Sequence, residues 1–157
     1  MDSTESAHHL QKGLIAALMH VCSLRLPSAS ALAAELDAAE RAIRATLNSF
    51  SPNCALRSAF DRGVPLEILK SVRREQLSGD RRLLALKRRE LIESLEWTER
   101  SHYRALVRAA AEAALRAEIE ECPLFGRRVS HWERAALEDI TRVFNTPGWR
   151  RNDENLA

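Results

Sequence analysis

The chain has 157 residues, a formal net charge of +2, and a composition in which 45% of the residues are hydrophobic and 5% are aromatic. Ala, Leu, Arg and Glu dominate, and these residues favour helices because their side chains lose little freedom there. With few strand-forming residues, five glycines and five prolines, the composition excludes a fold with many hairpins and predicts an all-α protein.

A first helix is predicted from about Ser6 to Cys22, because apolar residues recur there at helical spacing. The positions of this stripe are Leu10, Leu14, Ile15, Leu18 and Val21. His20 interrupts the apolar run, which is also too short to cross a bilayer, so no membrane association is expected. Three widely spaced cysteines without a CxxC pair are typical of reduced thiols in a cytoplasmic protein.

Two short helices are predicted next, within residues 26–50. Ser28 would cap a helix that ends at Leu36, and Asp37 would cap another that ends near Phe50, with Glu40 completing a capping box. Such a pair predicts an N-terminal helix-turn-helix, whose second helix enters a DNA groove. The alternative is that both helices are amphipathic parts of the core and have no role in DNA binding.

The helix-turn-helix interpretation assigns two sets of polar residues to DNA. The second helix would present to the groove Glu40, Arg41, Arg44, Thr46 and Asn48. Basic residues farther along would contact phosphates without reading sequence, namely Arg57, Arg62, Lys70, Arg73 and Arg74.

The same segment resembles the N-terminal DNA-binding segment of GntR-type winged-helix regulators. In that family an "LPS…LA.EL" run leads into a recognition helix that ends in a "VR.AL..L" pattern. The matching residues are Leu26, Pro27, Ser28, Leu32, Ala33, Glu35, Leu36, Ile43, Arg44, Leu47 and Phe50. The family's Gly-Val-Ser turn is replaced here by Asp37-Ala38-Ala39, and its wing and effector domain are not recognisable. The resemblance implies sequence-specific binding of DNA.

The stretch from Cys54 to Leu69 has two interpretations. "FDRGV", Phe60 to Val64, could be the tight turn of a small hairpin, since Asp and Gly suit turns. The favoured interpretation is a short helix that ends before Pro65, where a further helix starts and runs to Gly79.

A helical stripe without Gly or Pro follows from Asp80 to about Glu121, with a possible break near Trp97 and Thr98. Its apolar positions are Leu84, Leu91, Leu95, Leu106 and Ala113. A single helix of this length would extend for about 60 Å and could not bury its stripe alone. It is therefore expected to fold back as a hairpin or to pack against a second subunit.

A last helix is predicted from a capping box at Ser130 and Glu133 to Phe144. Its buried face would consist of Trp132, Ala136, Ile140, Val143 and Phe144. Residues 149–157 are predicted to form a disordered tail, although Trp149 is expected to be buried against the protein's own core rather than to anchor a partner.

The charge is unevenly distributed along the chain. Residues 1–50 sum to −1, residues 51–90 to +5 and residues 91–157 to −2. The basic span Lys70–Arg89 is either a solvated helix face with internal ion pairs or a surface for nucleic-acid phosphate.

No catalytic signature, phosphate loop or set of paired zinc ligands is present in the sequence, so we expect neither an enzyme nor a cofactor nor a metal site. His8 and His9 are interpreted as an exposed polar pair, and His102 beside Glu99 as a solvated histidine.

Taken together, the patterns predict a helix-turn-helix domain over residues 1–79, followed by long antiparallel helices over 80–148. The leading hypothesis is a small transcriptional regulator that binds DNA as a homodimer. Residues 80–121 would form the contact between the two subunits. The alternatives are a helical protein-interaction module (an adaptor, chaperone-like subunit or inhibitor) and a sequence-independent nucleic-acid-binding subunit of a larger complex.

Overall fold

The computed structural model describes residues 3–22, 29–50, 54–61, 63, 83–121 and 131–150. This part of the chain forms seven helices and contains no strand, as the composition predicts. The helices are α1 (Ser3–Cys22), α2 (Ala29–Asn48), α3 (Ala55–Phe60), α4 (Leu84–Lys87), α5 (Arg89–Glu93), α6 (Trp97–Glu121) and α7 (His131–Phe144).

Helix α1 lies at the centre of the core. All five residues of its predicted apolar stripe are at most 2% exposed, which confirms the periodicity. The helix contacts α3, α4, α5, α6 and α7, so it is surrounded rather than covered on one side. Gly13 allows α1 to lie close to the side chains of Tyr103 and Leu91. A Cβ atom at this position would be only 2.5 Å from the hydroxyl of Tyr103 and 2.6 Å from Leu91.

Helix α2 is continuous, and the predicted turn at Asp37 is wrong. A single helix runs from Ala29 to Asn48, with Asp37 exposed in its middle. The residues around Asp37 are good helix formers and include no Gly or Pro, so nothing local forces a break. The Asp37 carboxylate also lies 3.3 Å from Nε of Arg41, one turn later, which supports the helix.

The main partner of α2 is α6. Ala39, Ile43 and Leu47 of α2 are buried, and so is a row of mostly small residues on α6 that permits close packing. That row consists of Val107, Ala110, Ala111 and Ala114. Phe50, just beyond α2, stacks on His102 near the start of α6, with ring centroids 4.4 Å apart.

The segment 84–121 is not one helix. The chain bends at Arg88 and again at 94–96, which separates α4, α5 and α6. The predicted break near Trp97 is confirmed, although Thr98 does not cap the helix. The carboxylate of Glu99 instead accepts a hydrogen bond from the backbone N–H of Glu96 at 3.3 Å, as in the second half of a capping box.

The apolar stripe predicted for this segment is buried within one chain. Leu91, Leu95 and Leu106 are at most 2% exposed, so their burial requires no second subunit. Two residues depart from the prediction, since Leu84 is 41% exposed and Ala113 is half-buried. A single hydrophobic core combines these residues with those of α1 and α2, so the described parts of 1–79 and 80–148 do not have separate cores.

The C-terminal part follows the predicted pattern up to Phe144. Ala136, Ile140, Val143 and Phe144 are all buried. Trp149 is also buried, which confirms that it packs against the protein's own core and places it outside any disordered tail. Residues 64–82 and 151–157, together with the side chains of the predicted cap at 130–133, lie outside the described residues. No described helix has both the length and the apolar character needed to cross a membrane.

Candidate nucleic-acid interface

One exposed face runs along the second half of α2. Asp37, Arg41, Arg44 and Asn48 are exposed, and their spacing of four, three and four residues places them on one side of the helix. The opposite side carries the buried residues that contact the core. We call the exposed residues the outer face of α2. Three of the five residues predicted to enter a DNA groove, namely Arg41, Arg44 and Asn48, belong to it.

The other two predicted groove residues are placed differently. Thr46 is two residues after Arg44, about 200° around the helix, and its hydroxyl donates a hydrogen bond to the carbonyl of Ala42 at 2.8 Å. Glu40 is half-buried, and its carboxylate lies beside Gly63, where an added Cβ atom would be 3.1 Å from Oε1. The outer face therefore includes neither Thr46 nor Glu40.

The outer face continues into an open groove between α2 and α3, with a volume of about 460 Å³. The groove is lined by Arg44, Leu47, Asn48, Arg57, Ser58, Phe60 and Asp61. It brings together two predicted base-reading residues, Arg44 and Asn48, and one predicted phosphate contact, Arg57. Sequence reasoning did not identify Ser58 or Asp61, although a helical register from Arg57 would have placed Asp61 one turn after it.

Arg57 is held in place by the end of α2. Its Nε donates a hydrogen bond to the backbone carbonyl of Leu47 at 3.0 Å. This carbonyl belongs to the last turn of α2 and also accepts a hydrogen bond from the backbone N–H of Phe50 at 3.0 Å. The hydrogen bond engages the Nε–H group of Arg57 and restricts the orientation of its guanidinium.

Helix α3 is itself attached to the core. Leu56, Ala59 and Phe60 are buried, and Nε2 of Gln11 in α1 donates a hydrogen bond to the carbonyl of Ala59 at 2.5 Å. Arg57 and Ser58 are consequently carried by a short helix whose other side is fixed against α1.

The arginines of this surface differ in whether they already have an ion-pair partner. Arg41 is paired with Asp37, but both side chains are about 70% exposed, so this pair stabilises little. Arg44 makes no ion pair or hydrogen bond with any residue in the described part of the chain. Among the described residues that line the groove, two are arginines and one, Asp61, carries a carboxylate.

The remaining predicted phosphate contacts, Arg62, Lys70, Arg73 and Arg74, lie outside the described residues. At the end of the basic span, Lys87 and Arg89 are exposed. Nε of Arg89 lies 2.5 Å from Oε1 of Glu93 on the next turn, so that arginine has an internal partner.

A second groove, of about 470 Å³, lies at the start of α6 and is lined by Leu95, Glu96, Trp97, Thr98 and Arg100. Its arginine is already engaged. Nε of Arg100 donates to the carbonyls of Ile92 and Leu95, both at 3.1 Å, and Nη1 donates to the carbonyl of Gly148 at 3.2 Å. The guanidinium also lies 4.3 Å from the ring centre of Trp97. This groove is therefore a weaker candidate for binding an anion.

No three His, Cys, Asp or Glu side chains lie close enough to hold a metal ion, as far as the structure describes the chain. His20 is 5% exposed and lies 3.0 Å from Oδ2 of Asp139, so it links α1 to α7.

The resemblance of residues 26–50 to GntR-type regulators rests on the sequence alone, and the continuous helix α2 departs from the two helices that it implies. The chain matches no protein-family model, no curated protein and no solved structure.

Proposed function

We propose that the protein binds double-stranded DNA through the outer face of α2 and the adjoining groove. The observation that carries this proposal is that Arg44, Asn48 and Arg57, from two different helices, line one open groove. Two arginines with restricted or unpaired guanidinium groups are suited to phosphate, because the planar fork matches phosphate oxygens.

The shape of α2 is compatible with this role without a helix-turn-helix. Twenty helical residues extend for about 30 Å at 1.5 Å per residue, and a major groove about 12 Å wide admits one helix. Helix α6 would support α2 as an antiparallel partner. The stack of Phe50 on His102 favours that orientation, because it joins the end of α2 to the start of α6.

Sequence preference would come from the part of the outer face that lies outside the groove. Arg side chains pair with guanine in the major groove, so Arg41 is the candidate for a base contact, while Arg44 and Asn48 would contact the backbone from within the groove. As a transcriptional regulator the protein would act as a homodimer, which presents one outer face to each half-site.

A binding titration tests the proposal. Fluorescence anisotropy would be measured at low and moderate salt with the protein's own upstream DNA and a scrambled duplex, using wild type, Arg44→Ala and Arg134→Ala. Arg134 is exposed on α7 and serves as the matched control, since its loss removes the same charge elsewhere. We expect Arg44→Ala to weaken specific binding by about 1–3 kcal/mol and Arg134→Ala to leave it unchanged. Equal affinities for all three proteins, or no binding by wild type, would reject the proposal.

A protein-interaction role is the second candidate, favoured by the exposure of Trp97 and Leu84, each 41%. Exposed tryptophans are frequent anchors of interfaces. Leu91 and Leu95 cannot test this role, because both are core residues whose replacement would unfold the protein. A homodimer through residues 80–121 predicts a dimeric mass in light scattering that Leu84→Asp reduces to that of a monomer.

A further inference from the structure

We propose that the groove between α2 and α3 is a binding site for a single phosphate group. In this site Arg57 and Arg44 share one phosphate, and Asn48 and Ser58 add neutral donors. The inference rests on the proposed function in one respect, namely that the phosphate belongs to a nucleic-acid backbone. The position of the site, its binding residues and the number of phosphates are inferred from the geometry of the groove.

Arg57 is held by the backbone at the end of α2. Because its Nε is hydrogen-bonded to the carbonyl of Leu47, the guanidinium is oriented before any ligand arrives, and its two terminal amino groups are left for an anion. Fixing a rotamer-rich side chain in advance lowers the entropy cost of binding. The half-buried position of Arg57 also keeps its charge less screened than that of a fully exposed arginine.

Three other polar side chains of the groove can contact the same anion. Arg44 is exposed and has no partner among the described residues, so it is available to contact the same anion. Asn48 is one turn after Arg44 on the same face, and Ser58 adjoins Arg57. An amide and a hydroxyl donate hydrogen bonds to phosphate oxygens without adding charge.

The charge and the size of the groove limit how many phosphate groups it can hold. Asp61 also lines the groove, and its carboxylate disfavours a second phosphate by like-charge repulsion. The groove volume of about 460 Å³ falls within the roughly 300–1,000 Å³ of small-ligand sites. The groove therefore has room for one phosphate with its adjoining sugar, and the charges of its described residues suit one phosphate.

The first experiment uses inorganic phosphate as the probe. Proton–nitrogen NMR spectra would be recorded as phosphate replaces chloride at constant ionic strength. The Nε–H signal of Arg57 and the backbone amides of Ser58 and Asp61 are the reporters. We expect a saturable shift of these signals in wild type. Arg44→Ala should weaken the interaction by roughly tenfold or more, the loss expected for hydrogen bonds to a charged group.

Two further variants make the result specific. Asp61→Asn should bind phosphate more tightly than wild type, because it removes the opposing charge. Arg134→Ala should bind like wild type. Arg44 makes no ion pair or hydrogen bond with the described residues, so its replacement tests the site even if variants of Arg57 loosen the end of α2. A shift that does not saturate, or one that is the same in wild type and Arg44→Ala, would overturn the site.

The second experiment tests the source and number of phosphates. Affinity for a duplex would be measured against salt concentration for Arg44→Ala, Arg57→Gln and the double variant. Neutralising one backbone phosphate contributes about 0.9 to the slope of log affinity against log salt. If both arginines share one phosphate, the double variant should lose about 0.9 and not about twice that value. A loss of about twice 0.9 in the slope of the double variant would overturn the single-phosphate site.

The two experiments separate the two proposals. Saturable phosphate binding without duplex binding would support the site with a free phosphate compound as ligand and would overturn the proposed function. Duplex binding without saturable phosphate shifts would support DNA binding by the protein and overturn this site.

Discussion

The indole Nε1 of Trp149 lies 2.9 Å from the backbone carbonyl oxygen of Leu86 and donates a hydrogen bond to it. The indole is 1% exposed and lies between two aromatic rings. It stacks on Tyr103 with ring centroids 5.6 Å apart, and meets the ring of Phe144 edge-on at 5.0 Å. The residue beyond the last helix therefore joins α4, α6 and α7.

Replacing Trp149 with Phe should destabilise the protein by about 1–3 kcal/mol, because it leaves the carbonyl of Leu86 without its donor in a buried position. Urea denaturation followed by circular dichroism measures this loss. Trp97→Phe is the matched control, since Trp97 is 41% exposed, and its effect should stay within about 0.5 kcal/mol. Equal losses for the two variants would contradict the assigned role of Trp149.

Replacing Gly13 with Ala should destabilise the core by about 1–3 kcal/mol, because the added methyl group overlaps the hydroxyl of Tyr103 and the side chain of Leu91. Gly148→Ala provides the comparison. Its Cβ atom would be 3.3 Å from the flexible end of Ile92, so a small adjustment suffices. Free energies of unfolding would be compared by urea denaturation, and a stable Gly13→Ala variant would show that α1 and α6 are farther apart.

Ala38→Pro distinguishes a continuous α2 from a turn at Asp37. In a continuous helix, proline removes a hydrogen bond and costs about 3 kcal/mol or more. At the first position of a new helix it would be tolerated. Thermal unfolding should therefore show a large loss of stability.

Asp37→Ala gives a second and milder readout of the same question. Loss of a helix cap costs about 1 kcal/mol, whereas loss of one exposed i,i+4 ion pair costs at most about 0.5 kcal/mol. We expect the smaller effect, and a full capping loss would support two helices.

Burial raises the pKa of Tyr103 above its ordinary value. In the unfolded chain the phenol has its ordinary pKa of about 10. Above that pH the unfolded state has therefore lost a proton that the folded state keeps. The stability that Tyr103 contributes is thus complete below about pH 10 and is lost as the pH rises further, by up to about 1.4 kcal/mol per pH unit. Between pH 9 and 11 the stability of wild type should fall more steeply than that of Tyr103→Phe. Parallel curves would show that the phenol ionises while the protein remains folded.

Periodicity predicted α1 and α7 well, because the described apolar residues that recur at helical spacing in each are buried in the core. It failed at Asp37, where the same residue suits either a helix cap or an exposed position inside a helix. The choice between them depends on packing against α6, which is the main partner of α2 and begins more than fifty residues farther along. Local sequence does not contain that information.

The candidate site was predictable only in part. The exposed positions of Arg41, Arg44 and Asn48 follow from helical spacing, since these residues alternate with buried Ile43 and Leu47. The approach of Arg57 to the carbonyl of Leu47 depends on how the chain turns between α2 and α3, which spacing alone does not specify. The groove and the place of Asp61 in it follow from that turn.

The central position of α1 has a consequence for synthesis on the ribosome. Its apolar surface is completed by Tyr103, whose hydroxyl donates to the carbonyl of Leu10, and by Asp139, which contacts His20. These partners are 93 and 119 residues away along the chain. The apolar surface of α1 therefore stays incompletely covered until these residues have left the ribosome, so slow elongation or a shortage of chaperones should lower the yield through aggregation.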